Sequence, residues 1–243
     1  MMRTVFTALL VLVLATPALA GEAFDHAAWD QLLRAHVRGD GLDYEGLRAK
    51  EAQLDLYLAA IAATDPNTLG GRPDRLAFYL NAYNAYTVKA VLAAGPALRS
   101  VADVAPDFGF FKAADKTVGG KKVSLNDLEN TIIRPTFKDP RIHAALNCAS
   151  KSCPPLLAEA FVPAHLERQL EGVMRAFARD EARNHIAPGD VKLSRIFEWY
   201  AADFGPEGPK PFLARYLEGP RAEALHGAAN LGYLDYDWRL NRP

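Results

Sequence analysis

Residues 78–86 read FYLNAYNAY and form the middle of the longest predicted helix of the chain. Asn81 and Asn84 stand three positions apart among apolar and aromatic residues, so they share one face of this helix. Asparagine is a poor residue for a helix interior, and a buried amide needs a hydrogen-bond partner. The stretch therefore predicts a buried central helix whose two asparagines either hold a neighbouring loop or bind a substrate. Tyr83, between them, is counted with the predicted substrate-binding residues.

The segments on either side of this stretch extend the helical pattern. The central helix is predicted over residues 74–94, with a proline near its start and Gly95-Pro96 after its end. Residues 24–63 carry two further apolar stripes with helical spacing, and a turn at residues 39–44 separates them. The N-terminal half of the chain is therefore predicted to be mostly helical.

The middle of the chain predicts the first extended elements. Residues 115–124, DKTVGGKKVS, are typical of a β-hairpin with a Gly-Gly turn. Ser124 and Asp127 fit the capping pattern of a helix start, and Pro135 is expected to end that helix. Residues 141–146 are predicted to be a short buried strand.

The C-terminal part alternates between helical and extended patterns. Helices are expected at 163–183, 195–203, 211–217 and 222–228, and strands at 191–193 and in the tail LGYLDYDWRLN at 231–241. No internal repeat interrupts the pattern. The sequence therefore predicts one α+β domain over residues 21–243, helix-rich with a small antiparallel sheet.

Both cysteines of the chain lie in residues 142–155, IHAALNCASKSCPP. We call residues 147–155 the cysteine loop. Four interpretations are open: a Cys148–Cys153 disulfide, a catalytic thiol with His143 as its base, a metal site with His143 and both thiols, or inert buried thiols. The spacing matches no usual zinc pattern and no second Cys or His cluster completes four ligands, which disfavours the metal site. No metal or cofactor is therefore predicted.

The catalytic interpretation assigns a role to each polar group near the loop. A cysteine attacks as the thiolate, so Cys148 needs a base or nearby donors that lower its pKa. His143 would take and return the proton, and Glu129 on the preceding helix would orient the imidazole ring. Backbone N–H groups near Ala149 and Ser150 would form an oxyanion hole. Five residues of extended strand span roughly 16 Å, so direct contact between the histidine and the thiol requires a sharp turn.

The remaining predicted site residues belong to the same loop. Lys151, Ser152 and Cys153 are expected to bind the substrate together with the residues of the central helix. The substrate would be a peptide or a small molecule, for example a thiol compound. The aromatic and acidic residues 198–204 are interpreted as core and surface rather than as part of a binding site.

The first twenty residues predict a secretory signal peptide. Arg3 precedes an apolar run at residues 8–15, and Ala18-Leu19-Ala20 fits a cleavage site. The run is too short to span a bilayer. We therefore expect an exported protein, periplasmic or secreted, without membrane insertion after cleavage. Such a compartment permits disulfides.

The charge of the chain indicates no polyanionic partner. Without residues 1–20, 27 basic and 29 acidic side chains remain, so the net charge is about −2. This balance gives no reason to expect binding to nucleic acid or to an anionic membrane surface.

Four separated pieces carry a resemblance to a known family. They are FYLNAYNAY at 78–86, VSLNDLENTIIRP at 123–135, DPRIHAALNCASKSCPP at 139–155 and IFEWYAADF at 196–204. Together they resemble the domain of unknown function 547, here as an exported bacterial-type member. The resemblance implies a fold similar in outline to papain-like and transglutaminase-like thiol enzymes. It also implies that Glu129, His143 and Cys148 lie near one another, beside the helix with Asn81 and Asn84.

The leading functional prediction is an exported cysteine-dependent hydrolase or acyltransferase of the Cys-His-Glu type. One alternative is a non-catalytic binding or scaffold domain in which a Cys148–Cys153 disulfide shapes a polar pocket. Another is a thiol-redox protein in which the same two cysteines cycle between dithiol and disulfide, although their spacing is not the C-x-x-C of thioredoxin-like proteins.

Overall fold

The computed structural model describes residues 23–243, so the predicted signal peptide lies outside the described residues. The α-helices α1 to α11 are Ala27–His36, Tyr44–Arg48, Glu51–Ala63, Arg72–Ala94, Gly109–Lys112, Arg134–Phe137, Ile142–Ala145, Leu166–Arg179, Arg195–Trp199, Pro209–Ala214 and Gly219–Gly227. The strands β1 to β7 are Val37–Arg38, Gly41–Leu42, Lys116–Val118, Lys121–Val123, His185–Ala187, Asp190–Leu193 and Gly232–Tyr233. The predicted helix-rich α+β class is confirmed.

The strands form three small sheets around the helices. β1 pairs with β2 and β3 with β4, both antiparallel, and β5-β6-β7 form a third sheet in which β7 lies parallel to β6. The Gly-Gly hairpin is confirmed: Gly119 and Gly120 have φ of 57° and 74°, as a type I′ turn requires. Within residues 23–243, no helix is both long and apolar enough to cross a membrane.

Helix α4 is the centre of the larger hydrophobic core. Its side chains from Leu76 to Leu92 are buried on nearly every face, which matches its apolar sequence. The carboxylate of Asp74 accepts a hydrogen bond from the backbone N–H of Gly71 at 2.9 Å and caps the first turn. Around α4 pack α2, α3 and a π-helical segment, Asp127–Ile133.

A second cluster of buried apolar side chains lies among the C-terminal helices. It contains Phe177 of α8, Phe197 of α9 and Leu213 of α10. The short helix α7 joins the two clusters, because its Ile142 belongs to the first and its Ala144 to the second. His143 therefore lies where the two cores meet.

The prediction of a strand at residues 141–146 is wrong, because this segment contains helix α7. The backbone N–H of Leu146 donates to the carbonyl of Ile142 at 2.9 Å, and only Leu146 itself is extended. The side chain of Asp139 accepts a hydrogen bond from the N–H of Arg141 at the start of the turn. A short buried apolar run is compatible with either a strand or a helix. Here the segment is helical and packs against α8.

The helix that begins at Ser124 does not end at Pro135. Its capping box is as predicted: the N–H of Ser124 donates to Asp127 and the N–H of Asp127 donates to Ser124, both at 2.9 Å. The π-helical turns close with a bond from the N–H of Arg134 to the carbonyl of Glu129. Pro135 then occupies the first turn of α6, where its missing N–H is not needed, so the helix continues.

The C-terminal tail is mostly not the predicted strand. Only β7 is regular, and the following residues run across the cysteine loop. The N–H of Lys151 donates to the carbonyl of Arg239 at 2.8 Å, and the N–H of Asn241 donates to the carbonyl of Ala149 at 3.1 Å. These contacts place the tail's aromatic residues beside Cys148.

Candidate functional site

A cavity of about 420 Å³ lies where α4, the π-helical segment, α9, the cysteine loop and the tail meet. Its wall contains five residues of the predicted site: Tyr83, Glu129, His143, Cys148 and Cys153. It also contains six aromatic residues that the sequence analysis did not assign to a site: Phe108, Phe111, Trp199, Tyr200, Tyr236 and Trp238. The volume suits a small molecule or the end of a chain.

The backbone around Cys148 makes a tight turn fixed by asparagine side chains. The N–H of Asn147 donates to Asn84, and the side chain of Asn147 accepts from the N–H of Ala149, both at 2.9 Å. The amide of Asn147 also donates to the carbonyl of Pro154 at 2.8 Å. Ala149 has φ of 64°, a left-handed conformation that costs about 1–3 kcal/mol for a residue other than glycine. Such strain is often found at functional sites.

Hydroxyl groups surround the thiol of Cys148. Its Sγ lies 3.0 Å from the Oγ of Ser150 and 3.2 Å from the hydroxyl of Tyr236. Burial raises the pKa of Cys148, but hydrogen bonds from the Cys153 thiol, from Ser150 and from Tyr236 outweigh it and lower the pKa to about 7. Cys148 is therefore the thiol of this chain with thiolate character near neutral pH.

Cys153 has the opposite character. It is buried, and the backbone N–H of Cys148 donates to its Sγ at 2.9 Å. Burial, together with the neighbouring Cys148, raises the pKa of Cys153 well above its usual range. Both cysteines are free in this structure, so the Cys148–Cys153 disulfide, one of the four interpretations left open, is not formed in it.

The predicted oxyanion hole differs in the structure. The N–H of Ala149 is already bonded to Asn147, so it is not directed at a substrate. The backbone of Ser150 instead contributes to lowering the pKa of the Cys148 thiol. The backbone of this loop is thus directed at groups within the loop itself, namely the side chain of Asn147 and the thiol of Cys148.

His143 is held by Asp203, a residue that was not predicted for this role. Its Nε2 lies 2.8 Å from the Oδ2 of Asp203, and its ring stacks on Tyr200 with 4.1 Å between centroids. The Oε1 of Glu129 lies farther away, 4.0 Å from the Nδ1 of His143. Among residues 23–243, no hydrogen bond joins His143 to Cys148, although both lie on the cavity wall.

Asp203 is stabilised as a carboxylate. The hydrogen bond with His143 and the bidentate pair with Arg134, at 2.7 and 3.0 Å, hold the pKa of Asp203 well below its usual range despite partial burial. The guanidinium of Arg134 also stacks over Tyr200 at 4.7 Å. Asp203 thus orients the imidazole in the way that was predicted for Glu129.

Glu129 is surrounded by tyrosines. The hydroxyl of Tyr83 donates to its Oε2 at 3.4 Å, and Tyr200 lies close enough for this carboxylate to raise its pKa. Burial, and then the charge of Glu129, raises the pKa of both tyrosines well above the usual range. Both tyrosines therefore stay protonated and neutral.

Asn81 and Asn84 are not on the cavity wall. The side chain of Asn81 makes two bonds to the backbone of Phe161, at 2.7 and 3.0 Å. Asn84 bonds to the carbonyl of Ala145 and to the N–H of Asn147, both at 2.9 Å. Of the two interpretations given to these asparagines, the geometry fits the one in which they hold loops.

Lys151 and Ser152 also lie off the wall. Lys151 is exposed, and its backbone pairs with the tail. The hydroxyl of Ser152 accepts a hydrogen bond from the N–H of Asp237 at 2.8 Å. The geometry therefore places these two residues in contacts between the loop and the tail, whereas Cys153 faces the cavity.

The interpretation of residues 198–204 as core and surface needs correction. Phe204 is buried core, but Trp199 and Tyr200 line the cavity and Asp203 holds His143. The sequence contained one indication that these residues belong to the site: IFEWYAADF is one of the four pieces that carry the family resemblance. Tyr236 and Trp238 were missed because the alternation of the tail was interpreted only as a strand.

No group of three or more His, Cys, Asp or Glu side chains within the described part of the chain is placed to hold a metal ion. What the cavity does combine is a low-pKa thiol, a histidine held by a carboxylate, a further carboxylate and several aromatic rings. This combination suits nucleophilic and acid–base chemistry on a small organic molecule.

Comparison with known proteins supplies a family for this chain. The chain matches none of the curated proteins and none of the solved structures with which it was compared. Residues 66–178 match the profile of the family described as “Protein of unknown function, DUF547”. The matched span contains Glu129, His143 and Cys148, and it ends before Asp203 and the tail. Residues 66–178 of this chain therefore belong to the DUF547 family, as the resemblance predicted.

Proposed function

We propose that this protein is a thiol-dependent hydrolase or acyltransferase with Cys148 as its nucleophile. The observation that carries the proposal is the environment of the Cys148 Sγ, with Ser150 and Tyr236 hydroxyls at 3.0 and 3.2 Å on the wall of a cavity. The same wall contains His143, which is bonded to Asp203. The substrate is a small molecule or a peptide end that brings a carbonyl group to the thiol.

The proposed reaction has two steps. In the first, the thiolate sulfur bonds to the carbonyl carbon, the bond to the leaving group breaks, and the leaving group takes a proton from His143. In the second, water or another nucleophile gives a proton to His143 and attacks the thioester carbon. The sulfur–carbon bond then breaks and the thiolate of Cys148 is restored. Asp203 is the positioning residue that keeps the imidazole ring in place.

Alkylation of the native protein with iodoacetamide at a series of pH values tests the nucleophile. We expect Cys148 to react with an inflection at a pH of about 7, because the surrounding donors stabilise its thiolate. Cys153 should react much more slowly, because it is buried and its pKa is raised. Mass spectrometry of the digested protein assigns the label to one cysteine or the other.

A different outcome of the same experiment would favour the alternatives. If no thiol reacts before reduction and the digest contains a Cys148–Cys153 peptide, the resting protein has a disulfide. The proposed nucleophile then fails, and the scaffold or thiol-redox interpretation takes its place. Two observations support the redox alternative: the two cysteines lie close together, and the pKa values of their thiols are unequal.

Removal of one hydroxyl group tests the cause of the low pKa. We expect Tyr236→Phe to raise the alkylation inflection by about one pH unit, because a hydrogen bond to a charged group is lost. Tyr233→Phe is the matched control, since Tyr233 lies in the same tail on β7 and does not contact the thiol. An unchanged inflection in Tyr236→Phe would show that this hydroxyl does not stabilise the thiolate.

A further inference from the structure

Two features of the cavity are not used by the proposed chemistry: a group of aromatic rings on its wall, of which only the hydroxyl of Tyr236 has been assigned a role, and the carboxylate of Glu129. The rings belong to Phe108, Phe111, Trp199, Tyr236 and Trp238, which we call the aromatic rim. We propose that the aromatic rim and Glu129 bind a positively charged organic amine. That this amine is also part of the substrate rests on the function proposed above, whereas its binding does not.

The aromatic rim is exposed although its rings are large and apolar. Trp199 and Phe108 are 47% and 45% exposed, and they are two of the four large apolar side chains that are exposed within residues 23–243. Both lie on the wall of the same cavity. Exposed apolar side chains that are grouped at a cavity, rather than scattered, indicate a surface that binds a ligand.

The rings of the rim are ordered against one another. The ring centroids of Tyr236 and Trp238 are 4.5 Å apart, those of Trp199 and Tyr236 are 4.8 Å apart, and those of Phe108 and Trp238 are 4.9 Å apart. Trp199 and Trp238 are nearly parallel, with 19° between their planes. Three separate chain segments thus bring aromatic rings together on the wall of one cavity. Aromatic rings attract cations through their quadrupole.

The backbone of the rim is strained where it presents Phe108. Asp107 and Phe108 have φ of 52° and 58°, two consecutive left-handed residues that are not glycine. Each such residue costs about 1–3 kcal/mol and persists only where the surrounding structure holds it. Phe108 packs against Trp238, so the strained turn keeps this ring in the rim.

The charge of Glu129 is the reason for proposing a cationic ligand. Its side chain is only 14% exposed, and a carboxylate this far removed from water is usually paired with a cation. Among residues 23–243, its nearest basic partner is His143 at 4.0 Å. The nearby guanidinium of Arg134 donates instead to Asp203 and Asn130. The other groups near Glu129 are the neutral hydroxyl of Tyr83, which donates to it, and neutral Tyr200.

The other charges of the wall agree with a cationic ligand. Cys148 adds negative charge as its thiolate forms near neutral pH. Lys112 is the lysine on the wall, and it is exposed, so water and salt screen its charge more than that of Glu129. His143, when it holds the proton that the proposed reaction requires, balances only one of the two negative groups, Glu129 and the Cys148 thiolate. The inner part of the cavity is therefore negative, and its exposed part is aromatic.

A matched pair of probes tests the proposal. We measure the binding of 2-phenylethylamine and of its neutral counterpart 2-phenylethanol by calorimetry, with a Cys148→Ser variant so that no covalent reaction occurs. We expect the amine to bind about tenfold more tightly than the alcohol, because it alone makes a charge-assisted contact. In Glu129→Gln, the affinity for the amine should fall to that for the alcohol.

Two further variants separate the parts of the site. Glu198→Gln is the control, since Glu198 lies next to Trp199 but pairs with Arg195 and is not on the cavity wall, and it should keep the preference for the amine. Trp199→Ala should weaken the binding of both probes. If Glu129→Gln does not fold, the unmodified protein still serves: the amine should protect Cys148 from iodoacetamide at lower concentration than the alcohol does.

The results distinguish this proposal from the proposed function. Equal affinities for amine and alcohol, no binding of either probe, or an unchanged preference in Glu129→Gln would each overturn the ammonium site. A preference for the amine in a protein whose Cys148 is unreactive would leave the ammonium site standing and remove the thiol enzyme. A reactive Cys148 without the preference would do the reverse.

Discussion

Replacing Asp203 with asparagine is expected to slow the release of an acyl group from Cys148 by about 10²–10⁴-fold, the range typical of lost acid–base catalysis. The carboxylate of Asp203 bonds to the Nε2 of His143 at 2.8 Å and carries the charge that stabilises an imidazolium. Without it, His143 no longer takes a proton from the attacking water efficiently. With an ester whose leaving group departs as an anion and needs no proton from His143, the formation of the acyl group should change little above pH 8, because the thiolate is held by Ser150 and Tyr236.

The two steps are separated with p-nitrophenyl acetate. The release of nitrophenol reports acylation, and the mass of the protein reports how long the acetyl group stays on Cys148. In Asp203→Asn, the acetylated protein should accumulate. Asp190→Asn is a matched control, because it changes another His–Asp pair, with His185 at 3.3 Å, that lies outside the cavity.

The same assay decides between the two carboxylates near His143. If Asp203 orients the ring, Asp203→Asn should slow deacylation far more than Glu129→Gln does. The reverse order would restore the role that the sequence predicted for Glu129, and equal rates in Asp203→Asn and the unmodified protein would remove the His143–Asp203 pair from the mechanism. Cys148→Ser should form no stable acetyl adduct, which identifies the nucleophile.

Replacing Asn84 with alanine is expected to lower the free energy of unfolding by about 2–5 kcal/mol, because two buried backbone groups lose their partners. These groups are the carbonyl of Ala145 and the N–H of Asn147, which flank the start of the cysteine loop. The loop should therefore also lose its tight turn, and the alkylation inflection of Cys148 should move to higher pH. Denaturant unfolding and iodoacetamide labelling measure the two effects.

Asn81 provides a control that is nearly identical in chemistry. It lies on the same helix, is equally buried and makes two backbone bonds, but these bonds reach Phe161 instead of the cysteine loop. Asn81→Ala should therefore cost a similar free energy of unfolding and leave the inflection of Cys148 unchanged. Equal labelling profiles in the two variants would show that Asn84 does not position the thiol.

Local chemistry explains which elements could be predicted. The central helix, the Gly-Gly hairpin and the capping box at Ser124 follow from nearby residues, and each is present as predicted. The prediction of a strand at 141–146 was wrong because a short buried apolar run suits either a strand or a helix. The prediction that the helix ends at Pro135 was wrong because the preceding turns are π-helical. The proline therefore lies at the start of a new α-helical turn.

The sequence by itself determined the helix-rich α+β class and the family, and it predicted a site in the segment with His143 and Cys148. Only the tertiary structure decided which groups these two residues meet. Asp203 is 60 positions from His143, and Tyr236 is 88 positions from Cys148. The physical reason is that such contacts depend on how the two hydrophobic cores pack against α7 and how the tail crosses the cysteine loop. Local propensity and spacing contain no information about either.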